Sequence, residues 1–220
     1  MKQPEPVYKL LDWIDINKLD WYSLSESLNP NVISLLEKYP ENIYWFKLSK
    51  NPTPNAIALL EKYPDKIEWG FLSQNTNPNA IVLLEKNLDK LNIYCWEMLS
   101  KNLNATALLE KNLDKLDRTC WCWLSENPNA MHILEKNPDK INWFHLSKNS
   151  NPNALHLLEK NQHKLDRTSW SFISENPSMF EIDYKKMKKQ MVDIFCEELM
   201  MVALHPKRIS AWLDAGFEDF

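Results

Sequence analysis

The chain has 220 residues, 44% of them hydrophobic, and a formal net charge of −4 at pH 7. That size supports one large domain or two small ones around a buried core, and the acidic balance lacks the basic surface that nucleic-acid binding draws on. Two glycines, Gly70 and Gly216, are too few for a β-rich fold or a phosphate-cradling loop, which use glycine at positive-φ turns.

The first residues, "MKQPEPVYKLLDWIDINKLDW", hold no apolar core of signal-peptide length, and no apolar run anywhere is long enough to span a membrane. The expectation is an intracellular protein, in a host cytoplasm or a virion, that is neither secreted nor membrane-bound. Residues 1–20 read as a partial repeat capping one end, because "NKLDW" at 17–21 matches "DKIEW" at 65–69.

From residue 21 a repeat takes over. Leu24, Leu48, Leu72, Leu99, Leu124, Leu146 and Ile173 are each followed by serine, and a tryptophan stands three residues before each: Trp21, Trp45, Trp69, Trp96, Trp121, Trp143 and Trp170. Six copies run on into a Leu-Leu-Glu-Lys signature (Ile-Leu in the copy at 133–136). The anchors lie 24, 24, 27, 25, 22 and 27 residues apart, and the length varies at two places only, which marks those places as loops.

Between the loops the chemistry is helical. Thr53-Pro54, Asn77-Pro78, Asn127-Pro128 and Asn151-Pro152 put a capping side chain before a first-turn proline, whose missing N–H would be unpaired there anyway. Ala80, Ile81, Leu83 and Leu84 give the spacing of one buried face. The tryptophan segment, as in "NWFHLSKN" at 142–149, is shorter and reads as a short α or 3₁₀ helix, with Asn142, Thr119 or Thr168 as its cap. Neither helix is stable alone in water. Stacking neighbours buries both, so residues 21–178 read as an all-α solenoid of 22–27-residue, two-helix repeats.

Residues 179–220 lose the period and read as a C-terminal helical cap. A long helix over roughly 182–204 carries Tyr184, Met187, Met191, Phe195 and Leu199 on one face, and that stripe is expected to lie against the repeat containing Trp170 and Phe172. A second helix starts at His205-Pro206, with Gly216 as its terminator. The lysines of "YKKMKKQ" at 184–190 read as a solvated face.

The unit "LSKNPTPNAIALLEKYPDKIEWGFLSQN" at 48–75 resembles the leucine-rich repeat variant family, whose units pair an α-helix with a 3₁₀ helix. The units taken together with "ALHPKRISAWLDAGF" at 203–217 resemble repeat proteins of giant DNA viruses of amoebae and algae. The first resemblance implies repeats of that two-helix kind, and the second implies a viral origin without implying a chemistry.

The tryptophans do not vary from copy to copy, so they read as a core ladder rather than an aromatic platform for bases. The variable slots stand one and two residues after each tryptophan. Among them Phe71, Met98, Trp123, His145 and Phe172 form the candidate partner-binding set, being rich in the residue types of interface hot spots. Ordinary drift at half-buried positions would give the same pattern. His132 and His156 share a slot in neighbouring repeats but lack the further ligands a metal needs, and Cys120-x-Cys122 lacks zinc spacing. The six Leu-Leu-Glu-Lys glutamates and the seven anchor serines are copied, whereas catalytic groups come singly. No cofactor, metal or enzymatic activity is expected. The reading is a protein–protein interaction or assembly scaffold; the alternative is a minor capsid or cement component of a virus particle, and nucleic acid ranks behind both.

Overall fold

The computed structural model describes residues 8–180 and 182–215. All regular structure among them is helical, with no strand. The chain divides into two compact units, residues 1–179 and 180–220.

In the first unit two kinds of α-helix alternate. The tryptophan helices are α1 (Trp21–Glu26), α3 (Trp45–Lys50), α5 (Trp69–Leu72), α7 (Ile93–Lys101), α9 (Arg118–Glu126), α11 (Trp143–Leu146) and α13 (Arg167–Glu175). The entry helices between them are α2 (Pro30–Lys38), α4 (Pro54–Lys62), α6 (Pro78–Glu85), α8 (Thr106–Glu110), α10 (Met131–Lys136) and α12 (Pro152–Glu159). Most entry helices pass through a 3₁₀ turn such as Pro64–Lys66 before the next tryptophan helix. Like packs on like: α1 on α3, α3 on α5, α5 on α7, α7 on α9, α9 on α11, α11 on α13, and likewise α2 on α4 and α4 on α6.

The anchor leucines are the centre of this packing. Leu48, Leu72, Leu99, Leu124 and Leu146 are fully buried, together with Leu36, Leu60, Leu84, Leu109 and Leu134 of the entry helices. Each buried leucine contributes about 1.5–3 kcal/mol relative to an exposed one. The entry caps form as their sequence implies, with the Thr53 side chain accepting from the Ala56 N–H and Asn77 and Asn151 from the N–H two residues on.

The Leu-Ser-x-Asn asparagines do more than turn the chain. Asn51, Asn75, Asn102, Asn127, Asn149 and Asn176 are all buried. Each donates Nδ2 to main-chain carbonyls of the preceding repeat; Asn102 reaches Ser73 at 3.0 Å and Asn75 at 2.8 Å. Its Oδ1 accepts from the Asn104 N–H, so the amide is satisfied on both sides. A second row runs alongside, in which Asn77, Asn104, Asn129 and Asn151 donate to Pro52, Thr76, Leu103 and Pro128.

Two residues, such as Ile67-Glu68 or Leu91-Asn92, separate the 3₁₀ turn from the tryptophan helix in short and long copies alike. The extra residues before the tryptophan are therefore helix and not the loop that the sequence spacing suggests: α7, α9 and α13 begin three residues before their tryptophan, and α3, α5 and α11 begin at it. In the short copies the preceding repeat's anchor serine accepts from the N–H of the residue just before the helix: Ser25 from Tyr44, Ser49 from Glu68 and Ser125 from Asn142. In the long copies Asn92, Asp117 or Asp166 caps the helix with its own side chain. Thr119 and Thr168 therefore are not the caps. They lie inside the first turn, because the helices start two residues before the threonine-based reading places them. Asn142 does cap its helix, accepting from the His145 N–H at 3.0 Å.

The tryptophan ladder is only partly core. Trp96 and Trp121 are 5% and 7% exposed, Trp21, Trp45, Trp69 and Trp143 are half-buried against the core, and Trp170 is 49% exposed. Trp96 and Trp121 sit three residues inside α7 and α9, whereas Trp21, Trp45, Trp69 and Trp143 are the first residues of their helices. Trp21 and Trp45 instead lean on Tyr39 and Tyr63, with ring centroids 5.6 and 5.3 Å apart.

The second unit holds α14 (Tyr184–Ala203), capped by Asp183, and α15 (Pro206–Asp214), capped by His205. Both start close to where the proline and the apolar spacing place them. Gly216 lies outside the described residues. No helix among the described residues is long and apolar enough to cross a membrane.

Candidate interaction surface

The two residues after each tryptophan sit on the outer side of the tryptophan helix, since the tryptophan and the anchor leucine three positions on turn inward. Phe71, Met98, Trp123, His145 and Phe172 are all half-buried, presenting one side to neighbours and one to solvent. The structure brings three of them into one cluster. Trp123 meets His145 edge-on with centroids 5.3 Å apart, His145 meets Phe144 at 5.3 Å, and Phe144 meets Phe172 at 5.3 Å. Phe71 belongs to a separate group, 5.4 Å from Phe46, which in turn touches Tyr22 and Tyr44.

Met98 lies between the two groups, on α7 beside Glu97. Here Gly70 matters: a Cβ at that position would stand 2.7 Å from the Tyr94 ring, so only glycine lets that ring lie against α5. The Tyr94 hydroxyl accepts from Gln74 Nε2 at 3.4 Å, holding the half-exposed ring across the step between repeats.

Lysines complete the surface. Lys101 sits 3.5 Å above the Trp123 ring, and Lys148 sits 4.7 and 4.5 Å from the Phe144 and Phe172 centroids. A cation over an aromatic face contributes about 0.5–2 kcal/mol. Lys47 lies over Tyr22 and also pairs with Glu26, and that hydrogen bond raises the ammonium pKa above its ordinary value. His145 is fixed by Glu126, Nδ1 to Oε2 at 3.0 Å. Sequence reading overlooked Tyr44, Tyr94, Lys101 and Lys148, while Lys47 stands in a variable slot itself, two residues after Trp45. The recoverable signal for Lys101 and Lys148 was a lysine four residues after a variable slot, Glu97 or Phe144, which places it on the same helix face.

Other candidate groups separate. His132 faces Glu110 at 3.4 Å and His156 faces Glu159 at 3.8 Å, so each has its own carboxylate. Among the described residues no group of three or more histidine, cysteine or acidic side chains is placed to hold a metal. The Leu-Leu-Glu-Lys charges pair between repeats, Lys62 with Glu37, Lys111 with Glu85 and Lys136 with Glu110, and the last bond holds the Glu110 carboxyl below its usual range. Asp117 and Asp166 are lowered by the backbone N–H groups they cap. Burial pushes the Cys120 thiol up to about 11, which makes it inert at neutral pH. Cys122 is less buried and accepts from Asn142 Nδ2 at 3.1 Å. It lines an open groove of about 650 Å³ between the start of α9 and the segment 137–142 that leads into α11.

Comparison with family models, curated proteins and solved structures finds no match for this chain.

Proposed function

We propose that this chain is a non-enzymatic interaction or assembly scaffold, its first unit a helical solenoid of 22–27-residue repeats that displays the tryptophan-helix face to a protein partner. The observation that carries the reading is the Trp123–His145–Phe144–Phe172 cluster with its two lysines, built from the slots that vary on a frame that does not. The asparagine rows and anchor leucines supply the stiffness. A preorganised, half-buried aromatic surface loses little conformational freedom on binding, which favours affinity.

A protein partner fits better than nucleic acid. Bases stack on open ring faces, whereas the Trp123 and Phe172 rings each carry a lysine over one face and the rings meet edge to face. The shifted acids are caps and inter-repeat pairs rather than members of a convergent acid–base set, which favours display over catalysis.

The test is affinity capture from the native cell with the wild-type protein, a Trp123→Ala/Phe144→Ala double variant and a Val82→Ala/His132→Ala control on the exposed entry-helix face. One protein should be retained by wild type and control and lost by the double variant. Equal retention by all three, or a salt-sensitive shift of generic RNA by the wild type, overturns the reading.

A further inference from the structure

The second unit, taken by itself, carries an apolar face on α14. On α14, Met187 is 42% exposed, Met191 51%, Phe195 65% and Leu199 69%, and Tyr184 and Val202 extend the same face at 67% and 62%. Spacings of three and four residues put these six side chains on one stripe along the helix. A contiguous apolar stripe of this kind marks an interface.

The charges on α14 indicate what sort of interface. Its first half carries Lys185, Lys186, Lys188 and Lys189, and its second half Asp193, Glu197 and Glu198. A helix with one charge sign at each end is complementary to itself only when reversed. Side by side in parallel, two copies set four lysines against four and repel. Antiparallel, the basic half of each lies along the acidic half of the other.

We propose that α14 is a self-association helix, pairing antiparallel with α14 of a second copy about a two-fold axis near Asp193. In that register Met191 stands opposite Phe195 of the second copy, Met187 opposite Leu199 and Tyr184 opposite Val202. Lys188, beside the stripe, comes level with the opposing Glu198, while Lys189 and Glu197 lie toward the Asp193 side. The stripe is then buried against itself, and such a contact is isologous and closed, giving a dimer rather than a filament. Asp193 sits on the side of the helix away from the stripe, so the two copies of that carboxylate face solvent. A dimer would also carry two display surfaces, raising avidity for any partner that repeats. The proposal is independent of which partner those surfaces take.

Light scattering on the full-length protein at micromolar concentration tests it. Wild type should show twice the 26.1 kDa of one chain. Met191→Asp/Phe195→Asp should halve that mass with the helical signal of the repeats unchanged. The discriminating set is charge reversal beside the stripe: Lys188→Glu alone and Glu198→Lys alone should each weaken the dimer at least tenfold, and the combined swap should restore it. A wild-type mass of one chain overturns the proposal. So does a combined swap no tighter than either single variant, because the antiparallel register of opposite charges would then be wrong.

Discussion

The repeats of the first unit come in two forms that differ by three residues at the start of the tryptophan helix, and they begin that helix differently. Before Trp45, Trp69 and Trp143 those residues are absent, and the N–H just ahead of the helix is held by a serine of the repeat before it. Before Trp96, Trp121 and Trp170 they extend the helix, which is capped by Asn92, Asp117 or Asp166. The short form makes a bond to its neighbour at that point, with Asn142 capping its own helix as well, while the long form is held there by its own side chain. The indoles of Trp96 and Trp121 in the long form are more deeply buried than those of the short form, and Trp170, with no further copy after it, is 49% exposed. Three added residues therefore change how neighbouring copies are joined, even though the tryptophan is the same letter throughout.

The comparison breaks most visibly at the tryptophans. Trp96→Ala is expected to cost about 3–5 kcal/mol, the range for deleting a buried large aromatic, and Trp69→Ala clearly less, because Trp69 is only half-buried. Denaturant melts of the two variants measure the difference; equal losses would mean that the difference in burial between the two indoles carries no energy.

Next come the asparagines, which both forms share. Asn102→Ala leaves the Ser73 and Asn75 carbonyls and the Asn104 N–H without their partner, at about 1–3 kcal/mol for each buried group orphaned. Asn75→Ala should match it, since the geometry is the same. A much smaller loss in either, read from the same melts, would show that water replaces the amide.

The serines separate the two forms directly. Ser49→Ala removes the acceptor for the Glu68 N–H and should cost on the order of 1 kcal/mol more than Ser73→Ala, which loses a bond within its own turn. Hydrogen exchange at Glu68 reports the opened amide site-specifically.

The smallest effect is acid sensitivity of the long form. Asp117 and Asp166 have folded pKa values below the ordinary 3.8, held there by the N–H groups of Cys120 and Ser169. Their contribution is complete above that value and disappears as pH falls through the lower folded pKa. Thermal melts between neutral pH and pH 2 should show Asp117→Asn flattening the acid limb slightly, with no matching change for Asn92→Asp at neutral pH. A steeper limb in Asp117→Asn would reverse the sign and refute the assignment.

Much of this was legible in the letters. The tryptophan–anchor register and the proline entries follow from local chemistry, and local chemistry is what a single sequence records. The variable length before the tryptophan read as a loop, whereas the extra residues extend the helix, because they continue its backbone from the same two-residue connection. The asparagine rows were not legible, because a Leu-Ser-x-Asn asparagine looks like a helix cap and its second set of bonds spans a whole repeat. Trp96, Trp69 and Trp170 are likewise the same letter in the same frame, and their exposures differ. At the candidate surface the slots after each tryptophan were visible. The division into two ring clusters was not, since the Phe46–Phe71, Trp123–His145 and Phe144–Phe172 contacts are made between repeats.

The asparagine rows also have a direction. Every ladder amide donates backwards, to carbonyls 22 to 29 residues earlier, and each of those carbonyls belongs to a repeat nearer the amino terminus. A chain leaving the ribosome amino end first therefore never has to wait for an acceptor: each newly emerged repeat finds its docking carbonyls already in place. Growth in that order is a zipper with one open end, whereas refolding from denaturant must find the same bonds without a fixed starting point.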